Sequence, residues 1–303
     1  MSKREYLSRY HLIIKKLQKA PASFNEISDY LIRESEYHEY DFRISKRTFQ
    51  RDLLDIKEAL KVVIEFDKSK KVYFIADDFE ENEPMKNRML EAFELFNAFN
   101  ITENLNEFVL FEKRKSKGME HFYGLLHAIK NRFVIELTHQ KFTDDEPTNR
   151  KLFPLALKEF KGRWYLLAKE ETSETLKTFG LDRIIEFTIS KKQFPKYNSS
   201  ELNKLYADCF GIINPANLQP EKVVLVFNYE QGQFIKTYPL HPSQKVISEK
   251  PLEDAITIEL TLKITFDFVM ELLSFGEDLI VQKPLKLKKQ LKSIIENTLK
   301  NYE

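Results

Sequence analysis

Between positions 46 and 51 the chain sets Lys46, Arg47, Gln50 and Arg51 in the run "KRTFQR", with Thr48 among them. A guanidinium carries a rigid fork of N–H donors that matches phosphate oxygens and base edges, and a carboxamide can read a base edge as well. Further on, "DKSKK" places Lys68, Lys70 and Lys71 together, and such ammonium groups can neutralise backbone phosphates. The chemistry on offer is polyanion binding. Because 48 Lys and Arg face 47 Asp and Glu, for a net charge of +1, the attraction must come from a local patch and not from the whole chain.

The elements around these residues are legible. Tyr10, Ile13, Ile14 and Leu17 recur at one helical face. In "PASFNEISDYLI", Ser23 and Glu26 have the spacing of a capping box, and Phe24, Ile27 and Leu31 share a face. In "RISKRTFQRDLLDIKEAL", Ser45 is the cap, and Ile44 and Phe49 stand at hydrophobic-staple spacing. Phe49, Leu53, Ile56 and Leu60 form the apolar stripe, so Arg47 and Arg51 point away from it. "KVVIEF" and "KVYFIAD" then read as two strands around the lysine-rich turn. Three helices and a hairpin in this order are those of a winged helix-turn-helix over residues 1–78, with the third helix in the major groove and the turn as the wing. A basic helix face is also commonly just a solvated face, and the same elements occur in dimerisation modules. The staple, the arginine pair and the lysine wing arriving in order favour the duplex-binding reading.

Composition excludes several classes. Hydrophobic residues at 42% and charged residues at 31% are those of a globular chain. No apolar run approaches a membrane span, and the basic N-terminus lacks the apolar core of a secretory signal, so a cytoplasmic home is the expectation. The single cysteine, Cys209, rules out an internal disulfide and a cysteine-based zinc site, and it reads as a small buried hydrophobe. The six histidines show no HExxH-type metal spacing, and there is no phosphate-cradling glycine loop or nucleophile elbow. The expectation is a non-enzyme without cofactor or metal.

Beyond an acidic stretch from 76 to 88 containing Pro84, "MLEAFELFNAF" is helical. Met119, Phe122, Leu126 and Ile129 suggest a second helix, so residues 79–130 read as a helical linker. From 132 to about 190 short strands alternate with polar turns, the pattern of a small barrel or a strongly bent sheet. In the strand "GRWYLLAKE", Trp164, Leu166 and Ala168 face one side, and Arg163, Tyr165 and Leu167 the other. The tail from 221 reads β-α-β-β-α-β with a closing helix begun by Pro284, a ferredoxin-like order.

"RWYLLA", preceded by "LFPLALKEFKG" and followed by "FGLDRI", resembles the WYL domain, and "PLHPSQ", "LLSFGEDLIVQKP" and "LKKQLKSII" resemble that family's C-terminal extension. Arg150 and Pro154 fit its arginine-x-x-x-proline element. The family commonly has a tyrosine where this chain has His139, a side chain that can titrate near neutral pH.

The resemblance implies an α+β protein: a winged helix-turn-helix, a helical linker, a small Sm/SH3-like β-barrel (WYL) at 131–203 and a ferredoxin-like α/β extension at 218–303. It implies a bacterial, homodimeric transcriptional regulator that binds double-stranded DNA and senses a nucleic-acid or nucleotide-like effector. Arg150 and Arg183 would then supply forks for phosphate, Tyr165 and His139 would stack on or bond to a base, and Lys141 would add charge at the rim. The competing readings are a scaffold that binds no DNA and an enzyme acting on nucleic acid.

Overall fold

The computed structural model describes residues 3–38, 40–76, 92, 110, 117–143, 145–173 and 175–303. The chain divides into two compact units, residues 1–112 and 113–303. The helix expected over "MLEAFELFNAF" and the acidic stretch after Ala76 lie outside the described residues.

In the first unit, helices α1 (Lys3–Lys19), α2 (Phe24–His38) and α3 (Lys46–Leu60) precede a hairpin of β1 (Ile64–Asp67) and β2 (Val72–Ile75). The expected caps form. Ser23 and Glu26 bond reciprocally: the Ser23 N–H donates to Glu26 Oε2 at 2.7 Å, and the Glu26 N–H donates to Ser23 Oγ at 3.3 Å. Ser45 Oγ accepts the Thr48 N–H at 3.1 Å. Tyr10, Ile13, Ile14, Leu17, Ile27, Leu31, Phe49 and Ile56 are buried together, the faces that helical spacing selects. Two backbone bonds between Ala22 and Tyr73, of 3.0 and 2.7 Å, fasten the hairpin to the turn between α1 and α2.

The core of this unit also contains an ion pair. Arg9 on α1 donates from Nε and Nη2 to the two carboxylate oxygens of Asp52 on α3, each at 2.8 Å. Both side chains are 0% exposed. Burial raises the Asp52 carboxyl and the Arg9 fork pulls it back. Beside it, Tyr10 Oη donates to Asp55 at 2.7 Å, and burial holds the phenol well above its ordinary range.

The second unit contains two sheets. Helix α4 (Phe122–Asn131) lies on the first, whose strands are β3 (Phe133–His139), β4 (Thr148–Phe160), β5 (Arg163–Glu170), β6 (Leu176–Gly180) and β7 (Ile184–Gln193). The spatial order is β6-β5-β4-β3-β7, so the ladder is open and the expected closed barrel is not formed. The two edge strands are joined only by the 3-10 turn Leu181–Arg183. Flat five-stranded sheets would hold their edges about 19 Å apart, beyond the reach of that turn, so the sheet curls strongly. The ladder ends at β6 and β7, which do not pair, and within it β4 shifts register against β5 between Pro154, which has no N–H to donate, and Ala156.

Helix α4 belongs to this unit's core and is not a spacer. Leu125 and Ala128 are fully buried against the sheet and Phe122 and Ile129 pack beside them, while Met119 and Leu126, taken above as core-facing, are exposed. Met119 precedes the helix in a 3-10 turn over residues 119–121 and so does not share its stripe. Leu166, Ala168, Leu152 and Leu137 fill the same core, and Trp164 packs edge-on against Phe122 with 4.9 Å between ring centroids.

Helix α5 (Ser199–Tyr206), which the sequence reading left unassigned, leads to β8 (Glu221–Phe227), α6 (Tyr229–Thr237), β9 (Lys245–Lys250), β10 (Ala255–Leu262), α7 (Phe266–Leu273), β11 (Leu279–Lys283) and α8 (Leu285–Leu299). The four strands are antiparallel in the order β11-β8-β10-β9. The two sheets meet through Phe160, Phe210 and Phe268, whose successive ring centroids are 5.6 and 5.5 Å apart. Asp267 also accepts the N–H groups of Ile212 and Ile213 at 3.0 and 3.3 Å. A side chain at Gly211 would come within 2.3 Å of that carboxylate, so the close approach requires glycine.

Candidate functional site

Two groups of polar residues stand out, one in each unit. In the first, α3 buries Phe49, Asp52 and Ile56 and turns Lys46, Arg47, Gln50 and Arg51 outward. Thr48 is half-buried, with its hydroxyl 3.0 Å from that of Ser45, so it serves the cap. The Gln50 carboxamide donates to the Tyr73 hydroxyl at 3.0 Å, which ties α3 to the hairpin and engages the group expected to read a base. The Arg51 guanidinium lies 6.0 Å from the Tyr6 ring centre and the Lys46 ammonium 5.9 Å from that of Phe24. Lys68, Lys70 and Lys71 all fall in the hairpin turn and are exposed. Asp67 shapes that turn by accepting the N–H groups of Ser69 and Lys70 at 2.8 and 3.1 Å, and the Ser69 hydroxyl, donating at 2.6 Å, does most to lower its carboxyl, helped by the Lys70 N–H. Lys71 takes the left-handed conformation at φ 56° that closes the turn.

The second group lies on the curled sheet, and the strand register decides who meets whom. Leu137 pairs with Arg150, Ile135 with Leu152, and Leu152 with Glu170. By alternation His139, Arg150 and Glu170 lie on the core-facing side of the sheet. Tyr165, paired with Lys158 and Gly180, lies on the other side. His139 and Tyr165 therefore do not form the joint stacking surface expected of them.

The cations here are paired. Glu170 accepts from Arg150 Nη1 and, at 2.7 Å, from Lys177 Nζ. Asp182 accepts from Arg163 Nη1 at 2.7 Å and from Arg183 Nε at 3.3 Å. The bonds from Lys177 and Arg150 hold the Glu170 carboxyl below its ordinary range. Arg183 also lies over the Phe142 ring at 5.2 Å and crosses Gly180, where a side chain would come within 2.3 Å of the guanidinium. Lys141 is exposed in the loop after β3. Burial raises the Tyr165 phenol, and Arg163 and Arg183 draw it down.

His139 is 5% exposed and meets Phe179 edge-on at 5.4 Å. Its Nε2 is shut off from solvent and has no hydrogen-bond partner. Burial first, then the charges of Arg183 and Arg150, lower its basicity, so the ring is neutral at pH 7.

The sequence reading missed Glu170 and Lys177 as members of this group. A signal for Glu170 was present, since strand alternation puts it on the same side as Leu166 and Ala168. Among the described residues no group of three or more His, Cys, Asp or Glu side chains could hold a metal ion, and no helix is long and apolar enough to cross a membrane.

A mixed helix and sheet protein with a basic helix-and-hairpin surface in one unit and a cationic cluster on a curled sheet in the other is the class that these observations define. The chain carries a WYL domain, matched over residues 120–189, followed by a WCX domain, matched over residues 219–299. Among curated proteins none matches the chain. Similar solved structures include proteasome accessory factor B/C (PafBC) of Arthrobacter aurescens, at 16% identity and a TM-score of 0.34, covering 95% of this chain. This chain spans 45% of that one. A CRISPR Cas-related protein is similar at 10% identity and a TM-score of 0.39, covering 99% of this chain and 84% of its own.

Proposed function

We propose that the chain is a non-enzymatic, DNA-binding transcriptional regulator. In this reading residues 1–78 are a winged helix-turn-helix whose α3 enters the major groove. The observation that carries it is the outward row of Lys46, Arg47 and Arg51 on a capped helix whose inner face is locked into the core, beside a hairpin tipped by three lysines. Phosphate contacts from the lysines would set register, and Arg47 and Arg51 would meet base edges. Gln50, already bonded to Tyr73, has a structural role in this scheme.

In the same proposal the cluster of Arg150, Arg183, His139 and Lys141 receives an anionic, nucleic-acid or nucleotide-like effector. The WYL match and the density of guanidinium groups support it. Two copies acting as a homodimer in the cytoplasm, with the β-α-β-β-α-β unit as a ferredoxin-like extension, complete the reading. An effector could act only by binding one arrangement of the DNA-binding heads better than another.

The test is fluorescence anisotropy on a labelled duplex from upstream of the protein's own gene, across a salt series. Wild type should bind it more tightly than a scrambled duplex, and Arg47→Ala/Arg51→Ala should lose that preference. Equal, weak binding by both proteins to both duplexes would remove α3 as the recognition element.

A further inference from the structure

A buried polar atom without a partner is rare in a folded protein and calls for an explanation. His139 Nε2 is such an atom. It lies in a region rich in positive charge: Glu170 is bridged by Arg150 and Lys177, and Asp182 by Arg163 and Arg183, so within these two clusters cations outnumber carboxylates. Several elements contribute groups around the ring. Thr148 and Arg150 stand on β4, Phe179 on β6, Asp182 and Arg183 in the 3-10 turn, and Lys141 in the loop after β3. Asp182 is engaged by two arginines, and Glu170 of β5, on the same side of the sheet, is engaged by Arg150 and Lys177.

Without a ligand this environment keeps the ring neutral, because a third positive charge beside Arg150 and Arg183 is costly. An anion changes the balance. It cancels the repulsion, and it offers the acceptor that a protonated nitrogen needs.

We propose that an oxyanion held by Arg150 and Arg183 is hydrogen-bonded by His139 Nε2–H, on an imidazole that takes one proton from solvent as the anion docks. The inference rests on the effector reading above and adds to it. Binding at this cluster is proton-linked, and the residue responsible is His139. The sign follows directly. The bound complex holds more protons than the free partners, so affinity rises as pH falls through the range in which the bound imidazole titrates.

The experiment uses the full chain with labelled histidines and an oligothymidylate bearing a 5′ hydroxyl, whose phosphodiesters keep their charge wherever imidazole titrates. Calorimetry in two buffers of different ionisation enthalpy counts the protons taken up. Nuclear magnetic resonance follows the His139 ring, identified by its loss in His139→Gln. The expected result is uptake of about one proton per bound anion and up to about a tenfold gain in affinity per pH unit lowered. In His139→Gln, and in His139→Tyr, each checked for a folded spectrum, binding should weaken most at low pH and the pH slope should vanish, while the affinity at high pH changes least. Binding by wild type without proton uptake, or an equal slope in all three proteins, sinks the proton linkage and leaves the effector reading standing. No binding at any pH overturns both.

Discussion

The cations of α3 and its hairpin differ from those of the curled sheet in what already holds them. Lys46, Arg47 and Arg51 project from a surface helix, with an aromatic ring as the closest specific neighbour of Lys46 and of Arg51. Arg150 and Arg183 are half-buried and bonded to carboxylates of their own chain. A polyanion reaching α3 displaces only water and counterions, so binding there should be strong at low salt and fall steeply with added salt. A ligand reaching the sheet must compete with Glu170 and Asp182. That competition lowers affinity for any anion, and it favours one whose shape lets it take both guanidinium groups at once. The same residue type thus stands open on a helix surface in one unit and paired with carboxylates in the other.

This contrast can be broken at several points, and the largest effect lies beneath the open surface. Asp52→Asn leaves the buried Arg9 charge without its carboxylate and should destabilise the first unit by about 3–5 kcal/mol. Thermal unfolding should show an early transition, with the second unit unaffected. Next, Arg47→Ala/Arg51→Ala should cost on the order of 1–3 kcal/mol per arginine that reads a base, and lower the salt slope of duplex binding by about one for each that contacts phosphate. Oligothymidylate binding at the sheet should not change.

Glu170→Gln sharpens the comparison from the other side. It weakens the internal competitor for Arg150 and Lys177, and should raise anion affinity several-fold while leaving duplex binding alone. The carboxyl's folded pKa is lowered, so it contributes stability above the ordinary carboxylate range, which is lost as pH falls through the folded value. Wild type should therefore lose melting temperature in acid more steeply than Glu170→Gln. The smallest effect is expected from Ser45→Ala, which removes the cap of α3 and should cost about 1 kcal/mol. An unchanged melting temperature would show that the staple of Ile44 and Phe49 suffices to begin the helix.

Local rules explain why the first unit was the more legible. Ser23 with Glu26, and Ser45 with Thr48, are contacts within one turn, so spacing alone reveals them. Asp52 lay on the α3 stripe at i+3 from Phe49, and its burial was readable in phase, but its partner Arg9 is 43 positions away. The strands of the second unit were recognisable by alternation, but that β6 and β7 stay unpaired was not, because it depends on the spatial order of the strands. Of the stripe read for helix α4, Phe122 and Ile129 do pack inward, while Met119 falls in a 3-10 turn and Leu126 faces out. Of the sheet residues, Arg150, Arg183, His139, Tyr165 and Lys141 were singled out by resemblance. That His139 and Tyr165 face opposite sides follows only from the register that sets Leu137 against Arg150 and Tyr165 against Gly180.

The sequence by itself determined most of the described helices and strands, the caps that start α2 and α3, and the row of cations on α3, because each rests on periodicity or on contacts a few residues long. Tertiary structure decided which charges are matched. Arg9 meets Asp52, Arg150 meets Glu170, Gln50 meets Tyr73, and His139 Nε2 is left without a partner. Those outcomes depend on which strand and helix positions come into register across long stretches of chain, and in a buried setting a single match or mismatch of charge is worth more than any local propensity.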